Sequence, residues 1–193
     1  MPGGFAAANG VRVSRDAFVS VRHGIDDGRA QRPLEVGGLD HWHRRKYTEP
    51  YRVVASDPDK DLSVLAPQAG TIAEKSACPP LKLAREAPKE GERCYLIASN
   101  STLGGPHIFE ATCLGDWTLV KANRGRDQAV TLYGCPSLAG TAEERLIGMS
   151  GGAIVNRHGR LVGCWLGGLR QGGGGPPVAD GRMKSPPLGA LRD

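Results

Sequence analysis

The stretch of sequence that decides the fold is ERLIGMSGGAIVNRHGRLVGCWLGG, residues 144–168. It places Ser150 among Gly148, Gly151 and Gly152, directly ahead of two short apolar runs separated by a turn. The plain interpretation is a glycine turn leading into a β-hairpin. A second interpretation is that the glycines leave room for another group to come very close to the serine.

The composition favours short strands over long helices. The 193 residues include 28 Gly and 14 Pro but only 3 Phe, 4 Tyr and 3 Trp, and frequent glycines and prolines interrupt helices. The length suits one domain or two small ones with a shared core. The formal net charge of +5 is modest and scattered, so nucleic-acid binding is expected only as a weak secondary role.

The cysteines predict neither a disulfide framework nor a zinc site. Their number is odd, no pair has CxxC spacing, and no histidine cluster lies beside them. We therefore expect reduced, mostly buried thiols. The N-terminus lacks the pattern of a signal peptide, and no apolar stretch approaches membrane-spanning length. These features predict a soluble, cytoplasmic protein with no bound metal or cofactor. The cysteines are Cys78, Cys94, Cys113, Cys135 and Cys164.

The first half alternates between strand-like runs and turn signals. Asn9-Gly10 is a strong hairpin signal, and Asp57-Pro58-Asp59 predicts the turn of a second strand–turn–strand segment. Two-residue spacing, which is typical of half-buried strands, occurs at Val11, Val13, Val19 and Val21.

Composition divides the chain into four segments. Residues 1–76 predict an N-terminal β-barrel, and residues 77–91, which are rich in proline and charge, predict a connector. Residues 92–170 again contain short strands at regular intervals and predict a C-terminal β-barrel. Residues 171–193 form a Gly- and Pro-rich tail of a composition typical of mobile segments.

Ser150 stands in a setting that suits a nucleophile. A serine hydroxyl reacts poorly unless a base removes its proton, and attack on a carbonyl creates an oxyanion that needs donors already in place. Backbone amides of a glycine loop can supply such donors, and the N–H groups of Gly148 and Ser150 are the natural pair. The alternative is that a chain so rich in glycine carries this motif by chance.

His23 is the best candidate for the base. It directly follows the apolar run AFVSV, so a sheet would fix its position. His158 falls in the turn of the hairpin after the serine, and His41, His43 and His107 lie in polar loop sequence. A histidine at a strand end with a purely structural role is the alternative for His23.

Asp61 is the best candidate for a carboxylate that orients the imidazole, because it begins the apolar strand DLSVLAP and can be partly buried. Asp59 ranks second. Asp57 and Asp59 flank the turn proline and can instead cap the turn. Asp26 and Asp27 are close to His23 in sequence but lie in a solvated loop.

Three segments together resemble the signature segments of chymotrypsin-fold serine proteases. They are AFVSVRHGIDDG, VVASDPDKDLSVLAP and GMSGGAIVNRHGRLVGCWLGG, in the order His, Asp, Ser. The resemblance is greatest to viral polyprotein-processing and HtrA-like branches. It implies an all-β fold of two antiparallel six-stranded Greek-key barrels with the active site between them. It also implies a catalytic triad of His23, Asp61 and Ser150.

Two departures from the family pattern bear on regulation and specificity. Many secreted relatives carry Asp before the serine, which pairs with a new N-terminus after activation; Met149 cannot form that ion pair. Viral relatives that cut after Gln or Glu commonly carry His where this chain has Trp165.

The resemblance implies a substrate pocket formed by the loop before the serine and the strand after it. Glu144 in the pocket would favour Lys or Arg substrates, and a solvated loop position is its alternative. Leu166 between glycines permits pairing with an extended peptide. The expected substrate-binding residues are Thr141, Glu144, Arg145, Trp165, Leu166, Gly167 and Gly168.

The function expected from this resemblance is a serine endopeptidase acting through an acyl-enzyme on polypeptides. The trimmed outline suggests a viral protease in the host cytoplasm that processes its own precursor polyprotein. The alternatives are an HtrA-like cellular protease and a catalytically silent module that binds peptide or RNA. A non-enzymatic structural β-domain would leave the His-Asp-Ser order unexplained.

Overall fold

The computed structural model describes residues 8–25, 34–39, 45–68, 79–100, 105–123, 126–142, 145–170 and 179–191. Its first half forms one antiparallel sheet of five strands, in the order β1-β2-β5-β4-β3. The strands are β1 (Val11–Arg12), β2 (Phe18–Val21), β3 (Leu34–Leu39), β4 (Arg45–Asp57) and β5 (Leu62–Pro67).

The second half forms an antiparallel sheet of seven strands, in the order β10-β9-β6-β7-β8-β12-β11. Within the described ranges, the helical elements are short 3₁₀ turns at Arg22–Gly24, Pro136–Leu138 and Leu188–Leu191. The strands are β6 (Arg93–Asn100), β7 (Gly105–Asn123), β8 (Arg126–Gly134), β9 (Ala153–Asn156), β10 (Leu161–Cys164), β11 (Gly167–Arg170) and β12 (Ala179–Ser185).

The all-β prediction with two antiparallel sheets is confirmed. The described strands divide five and seven between the sheets, where the sequence predicted six and six. None of the helices in the described ranges is long and apolar enough to cross a membrane.

Apolar side chains join the two sheets. Val19 and Leu62 of the first sheet belong to the same buried cluster as Val155 and Leu161 of the second. A second shared cluster contains Val21 and, from the second sheet and the segment before β11, Val130, Leu132 and Leu166. Burial of apolar surface is the main favourable term in such packing. The ends of β2 and β5 are therefore held against the second sheet, which decides where the candidate site forms.

The turn predictions had mixed outcomes. A strand–turn–strand unit does form around Pro58, between β4 and β5, and Asp57 Oδ1 caps it by accepting hydrogen bonds from the N–H groups of Asp59 (2.9 Å) and Lys60 (3.0 Å). The Asn9-Gly10 turn was expected to join two strands of a hairpin. The first of these strands would lie largely outside the described residues, which begin at residue 8. The hairpin that the structure shows there joins β1 to β2.

Part of the expected tail is a strand, which corrects the C-terminal boundary. Residues 179–185 form β12, which pairs with β8 on one side and β11 on the other. Met183 and Ser185 are completely buried. The low apolar content of the segment gave no indication of these two inward-facing residues. The rest of the expected tail, apart from 186–191, lies outside the described residues.

The described part of the expected connector packs along β10. Ala84 N–H donates to Leu161 O, and Leu161 N–H donates to Lys82 O, both over 2.9 Å. Leu81 N–H donates to Arg12 O of the first sheet, also over 2.9 Å. The connector therefore contacts both sheets.

Four of the five cysteines are free and buried, as predicted, and Cys78 lies outside the described residues. Burial raises the pKa of the thiols of Cys94 and Cys164 to about 12. Burial also raises the pKa of Cys113 and Cys135. These thiols are protonated at neutral pH.

Candidate active site

The register of β2 against β5 brings His23 and Asp61 together. Val21 pairs with Leu62 at the ends of the two antiparallel strands. The pairing continues one step further, where Arg22 N–H donates to Asp61 O over 2.9 Å. His23 follows in a 3₁₀ turn, so the strand pairing itself carries its ring to the aspartate.

Asp61 holds the histidine by both its backbone and its ring. Asp61 Oδ1 accepts the backbone N–H of His23 over 2.9 Å, and Oδ2 lies 2.5 Å from His23 Nδ1. The side chain of Asp61 is 19% exposed and that of His23 is 45% exposed. Asp61 has a φ of 56°, a left-handed conformation that Asp tolerates better than most residues.

The other ring nitrogen of His23 faces the serine. His23 Nε2 lies 3.0 Å from Ser150 Oγ, which is hydrogen-bond distance. When Nδ1–H donates to the Asp61 carboxylate, the lone pair of Nε2 is free to accept the Ser150 hydroxyl proton. The structure thus brings together the three residues that the sequence singled out.

The glycines after Ser150 allow a close approach, as the second interpretation of the sequence required. Gly151 has a φ of +83°, and a Cβ built there would lie 2.0 Å from the backbone oxygen of Asn9 and 2.8 Å from Ser20 Oγ. A Cβ on Gly152 would lie 2.7 Å from that of Ala98. The approaching group is therefore the protein's own N-terminal segment and the neighbouring strand.

The loop around Ser150 is fixed by backbone hydrogen bonds. Gly151 N–H donates to Trp165 O, and Trp165 N–H donates to Gly152 O, each over 2.8 Å. Gly152 N–H donates to Met149 O over 3.0 Å. Met149 is fully buried. Apolar packing of its side chain therefore takes the place of the ion pair that an acidic residue at this position would form.

The amides of Gly148 and Ser150 have no protein acceptor among the described residues. Both flank the nucleophile candidate, and Gly148 has a φ of +90° that glycine adopts readily. Two unengaged N–H groups beside a serine hydroxyl are what an oxyanion requires.

Two asparagines that the sequence did not assign to the site hold this loop. Asn9 N–H donates to Ser150 O over 2.6 Å, and Asn9 Nδ2 donates to Gly148 O over 2.8 Å. Asn100 Nδ2 donates to Ile147 O over 3.1 Å. Asn9 was interpreted as a turn residue, and no local pattern marks Asn100, because their partners are distant in sequence.

The residues predicted to bind substrate differ in what they expose. Trp165 is 2% exposed and Leu166 is 5% exposed, because each side chain packs into a core cluster. Their side chains therefore face the core rather than solvent. Gly167 and Gly168 are half-buried in β11, Thr141 is half-buried, and Arg145 is exposed. Glu144 lies outside the described residues.

Lys184 is a charged residue near the candidate site that sequence reasoning did not select. It pairs with Gly167 across β12 and β11. Burial lowers the pKa of its amine, and the negative charge of Asp61 opposes that effect. No local sequence signal separates it from the other lysines.

The other candidate titratable residues lie elsewhere. Asp59 forms an ion pair with Arg126 over 2.9 Å, and His158 accepts a hydrogen bond from Arg157 in the exposed hairpin turn. His41 and His43 lie outside the described residues. Within the described ranges, no group of three or more His, Cys, Asp or Glu side chains could hold a metal ion.

The two-sheet fold with this His-Asp-Ser arrangement defines a peptidase of the chymotrypsin-fold class. The family model described as "Trypsin-like peptidase domain" matches residues 8–164. The chain therefore belongs to the trypsin-like peptidase domain family. No curated protein matches the chain in sequence.

Solved structures with the same fold include proteins from two bacteria. The active form of the Rv3671c protease from M. tuberculosis is 17% identical, with a TM-score of 0.69, covering 96% of this chain and 70% of that one. Its inactive form gives 17% identity and a TM-score of 0.67, covering 96% and 80%. The apo MamO protease domain from Magnetospirillum magneticum is 19% identical, with a TM-score of 0.67, covering 98% and 90%. At these identities the likeness extends to the fold alone.

Proposed function

We propose that the chain is a serine endopeptidase that cleaves polypeptides through an acyl-enzyme. One observation carries the proposal. His23 lies 3.0 Å from the hydroxyl of Ser150 while its other ring nitrogen contacts Asp61. Proton transfer needs this distance, and the carboxylate favours the tautomer that accepts the proton.

The mechanism follows from the contacts. His23 Nε2 takes the Ser150 proton as Oγ attacks the peptide carbonyl, and the negative charge passes to the carbonyl oxygen. The Gly148 and Ser150 amides stabilise that oxyanion, while Asp61 stabilises the imidazolium. His23 then protonates the leaving amine as the C–N bond breaks. Water, deprotonated by His23, hydrolyses the acyl-enzyme and regenerates the Ser150 hydroxyl.

The binding of an extended peptide is supported by the sheet edge. β11 ends the seven-stranded sheet in the order of described strands, and it pairs only with β12. Its unpaired edge can take a peptide strand by backbone hydrogen bonds. Gly167 and Gly168 lie on that strand, so we propose that they bind the substrate backbone. Thr141, Glu144 and Arg145 remain predicted pocket residues, to be assigned by cleavage profiling with a peptide library.

The proposal is tested with Ser150→Ala and a matched control, Ser137→Ala, which removes an exposed hydroxyl on the 3₁₀ turn Pro136–Leu138. Ser150→Ala should abolish cleavage of a peptide library and should abolish labelling by a fluorophosphonate probe. Ser137→Ala should retain both, and His23→Ala should lose labelling. Undiminished turnover by folded Ser150→Ala would exclude this nucleophile.

The match to the trypsin-like peptidase domain family supports peptide hydrolysis and does not extend to the viral, polyprotein-processing role expected from the sequence. A silent module that binds peptide or RNA is the remaining alternative. It predicts peptide binding without cleavage, or RNA binding that weakens steeply with added salt.

A further inference from the structure

We propose that Asn100 is a positioning residue for the oxyanion site, acting through the Ile147–Gly148 peptide group. The inference rests on the proposed function and deepens it. Asn100 is the last residue of β6. Its Nδ2 donates to Arg145 O over 2.7 Å and to Ile147 O over 3.1 Å. One side-chain amide therefore uses both of its hydrogens on the loop that precedes Ser150.

The direction of the Gly148 N–H follows from the carbonyl that Asn100 holds. Ile147 C=O and Gly148 N–H belong to one planar trans peptide group, in which the two bonds point in opposite directions. Because Ile147 O is turned toward Asn100, Gly148 N–H is turned away from it. That N–H has no protein acceptor in the described part of the chain, which leaves it available to an oxyanion.

The neighbouring peptide groups are held by other partners. Gly148 O accepts from Asn9 Nδ2 over 2.8 Å, and Met149 O accepts from Gly152 N–H over 3.0 Å. Met149 C=O and Ser150 N–H belong to one peptide group, so the contact with Gly152 directs Ser150 N–H in the same manner. The Ile147–Gly148 group, by contrast, accepts its hydrogen bond from Asn100.

The residues on either side of this peptide group offer little resistance to its rotation. Ile147 is 70% exposed, so its side chain has little packing to lose. Gly148 follows it, and glycine tolerates both signs of φ. A peptide group between an unpacked residue and a glycine can reverse at small cost, and reversal would aim a carbonyl at the oxyanion. The Asn100 contact supplies the missing restraint.

Asn100→Ala tests the inference, with Asn156→Ala as the matched control. Each substitution removes at least two side-chain hydrogen bonds, since Asn156 Oδ1 accepts from His158 N–H and Arg160 N–H in the β9–β10 turn. Loss of an oxyanion donor lowers kcat by about 10²- to 10³-fold. We expect Asn100→Ala to lower kcat by roughly 10- to 100-fold with little change in KM. Asn156→Ala should leave both constants unchanged.

Inhibitor affinities separate positioning from general damage. A peptide aldehyde adds to Ser150 Oγ and places its oxygen in the oxyanion site, whereas the matching peptide alcohol cannot. Asn100→Ala should weaken the aldehyde in proportion to its loss of kcat/KM and leave the alcohol unaffected. Equal weakening of both compounds, or wild-type kcat in a folded variant, would overturn the inference while leaving the proposed function intact.

A structural readout keeps the inference testable without activity. If the wild-type chain neither cleaves peptides nor reacts with a fluorophosphonate, the proposed function fails. Crystal structures of wild type and Asn100→Ala would still compare the Ile147–Gly148 peptide. Reorientation in the variant supports the restraint, and an unchanged peptide group refutes it.

Discussion

Asp61 contacts His23 through both carboxylate oxygens: one accepts the backbone N–H of His23 over 2.9 Å, and the other lies 2.5 Å from ring Nδ1. The first contact fixes the turn that carries the histidine, and the second fixes the ring within it. A carboxylate that accepts two such contacts orients the imidazole toward Ser150.

We therefore predict that Asp61→Asn lowers kcat by roughly 10³- to 10⁴-fold, because an amide facing Nδ1 favours the wrong tautomer. The fold should persist, since Asn tolerates the left-handed backbone at this position. Asp59→Asn, two residues away, is the control and should keep wild-type kcat. Steady-state kinetics with thermal melts decides the matter, and full activity in Asp61→Asn would remove Asp61 from the mechanism.

Gly151→Ala should destabilise the protein more than Gly159→Ala. Both positions have positive φ, but a Cβ on Gly159 meets nothing within 4 Å, whereas one on Gly151 would collide with Asn9 O. Backbone strain alone costs about 1 to 2 kcal/mol, and overpacking adds about 1 to 3 kcal/mol. Urea unfolding would measure the difference, and equal losses would mean that the Asn9 contact does not constrain the loop.

Ile154→Ala and Ile108→Ala form a pair that tests the core of the second sheet. Ile154 of β9 is completely buried and Ile108 of β7 is 70% exposed. Removing the buried side chain should cost about 2 to 5 kcal/mol of unfolding free energy. The exposed substitution should stay within about 0.5 kcal/mol. Similar losses at the two sites, measured by denaturant unfolding, would contradict the assigned inward face of β9.

The described cysteines should resist thiol reagents at neutral pH, because burial raises the pKa of Cys94 and Cys164 to about 12 and thiolate is the reactive form. In a Cys78→Ser background, iodoacetamide should leave the native protein unmodified and peptidase activity unchanged. Denatured protein should take up four labels. Rapid native labelling with loss of activity would indicate a cysteine in the chemistry.

The same pKa shifts predict a loss of stability in alkali. The unfolded thiols titrate near the ordinary value of 9.0, and those of Cys94 and Cys164 near 12 when folded. Between these values the folded state binds more protons, so the free energy of unfolding falls as pH rises from about 9. The free energy of unfolding of the Cys164→Ala variant should fall less steeply with pH than that of wild type over this range. Thermal melts at a series of pH values would measure the difference.

The sequence by itself predicted the elements that depend on local pattern. Alternating valines marked β1 and β2, the Asp57-Pro58-Asp59 turn marked the end of β4, and the run after Ser150 marked the hairpin of β9 and β10. Residue chemistry and order also indicated His23, Asp61 and Ser150, because each stood beside an apolar strand or among glycines.

Tertiary structure decided what required contacts between distant segments. Gly151 has no room for a side chain because Asn9, 142 positions earlier, places its carbonyl there. β12 exists because its alternate residues are buried against β8 and β11, in a segment whose composition looked unstructured. The loop before Ser150 is held by Asn9 and Asn100. A hydrogen bond is set by position in space, and only folding brings these donors within reach of their acceptors.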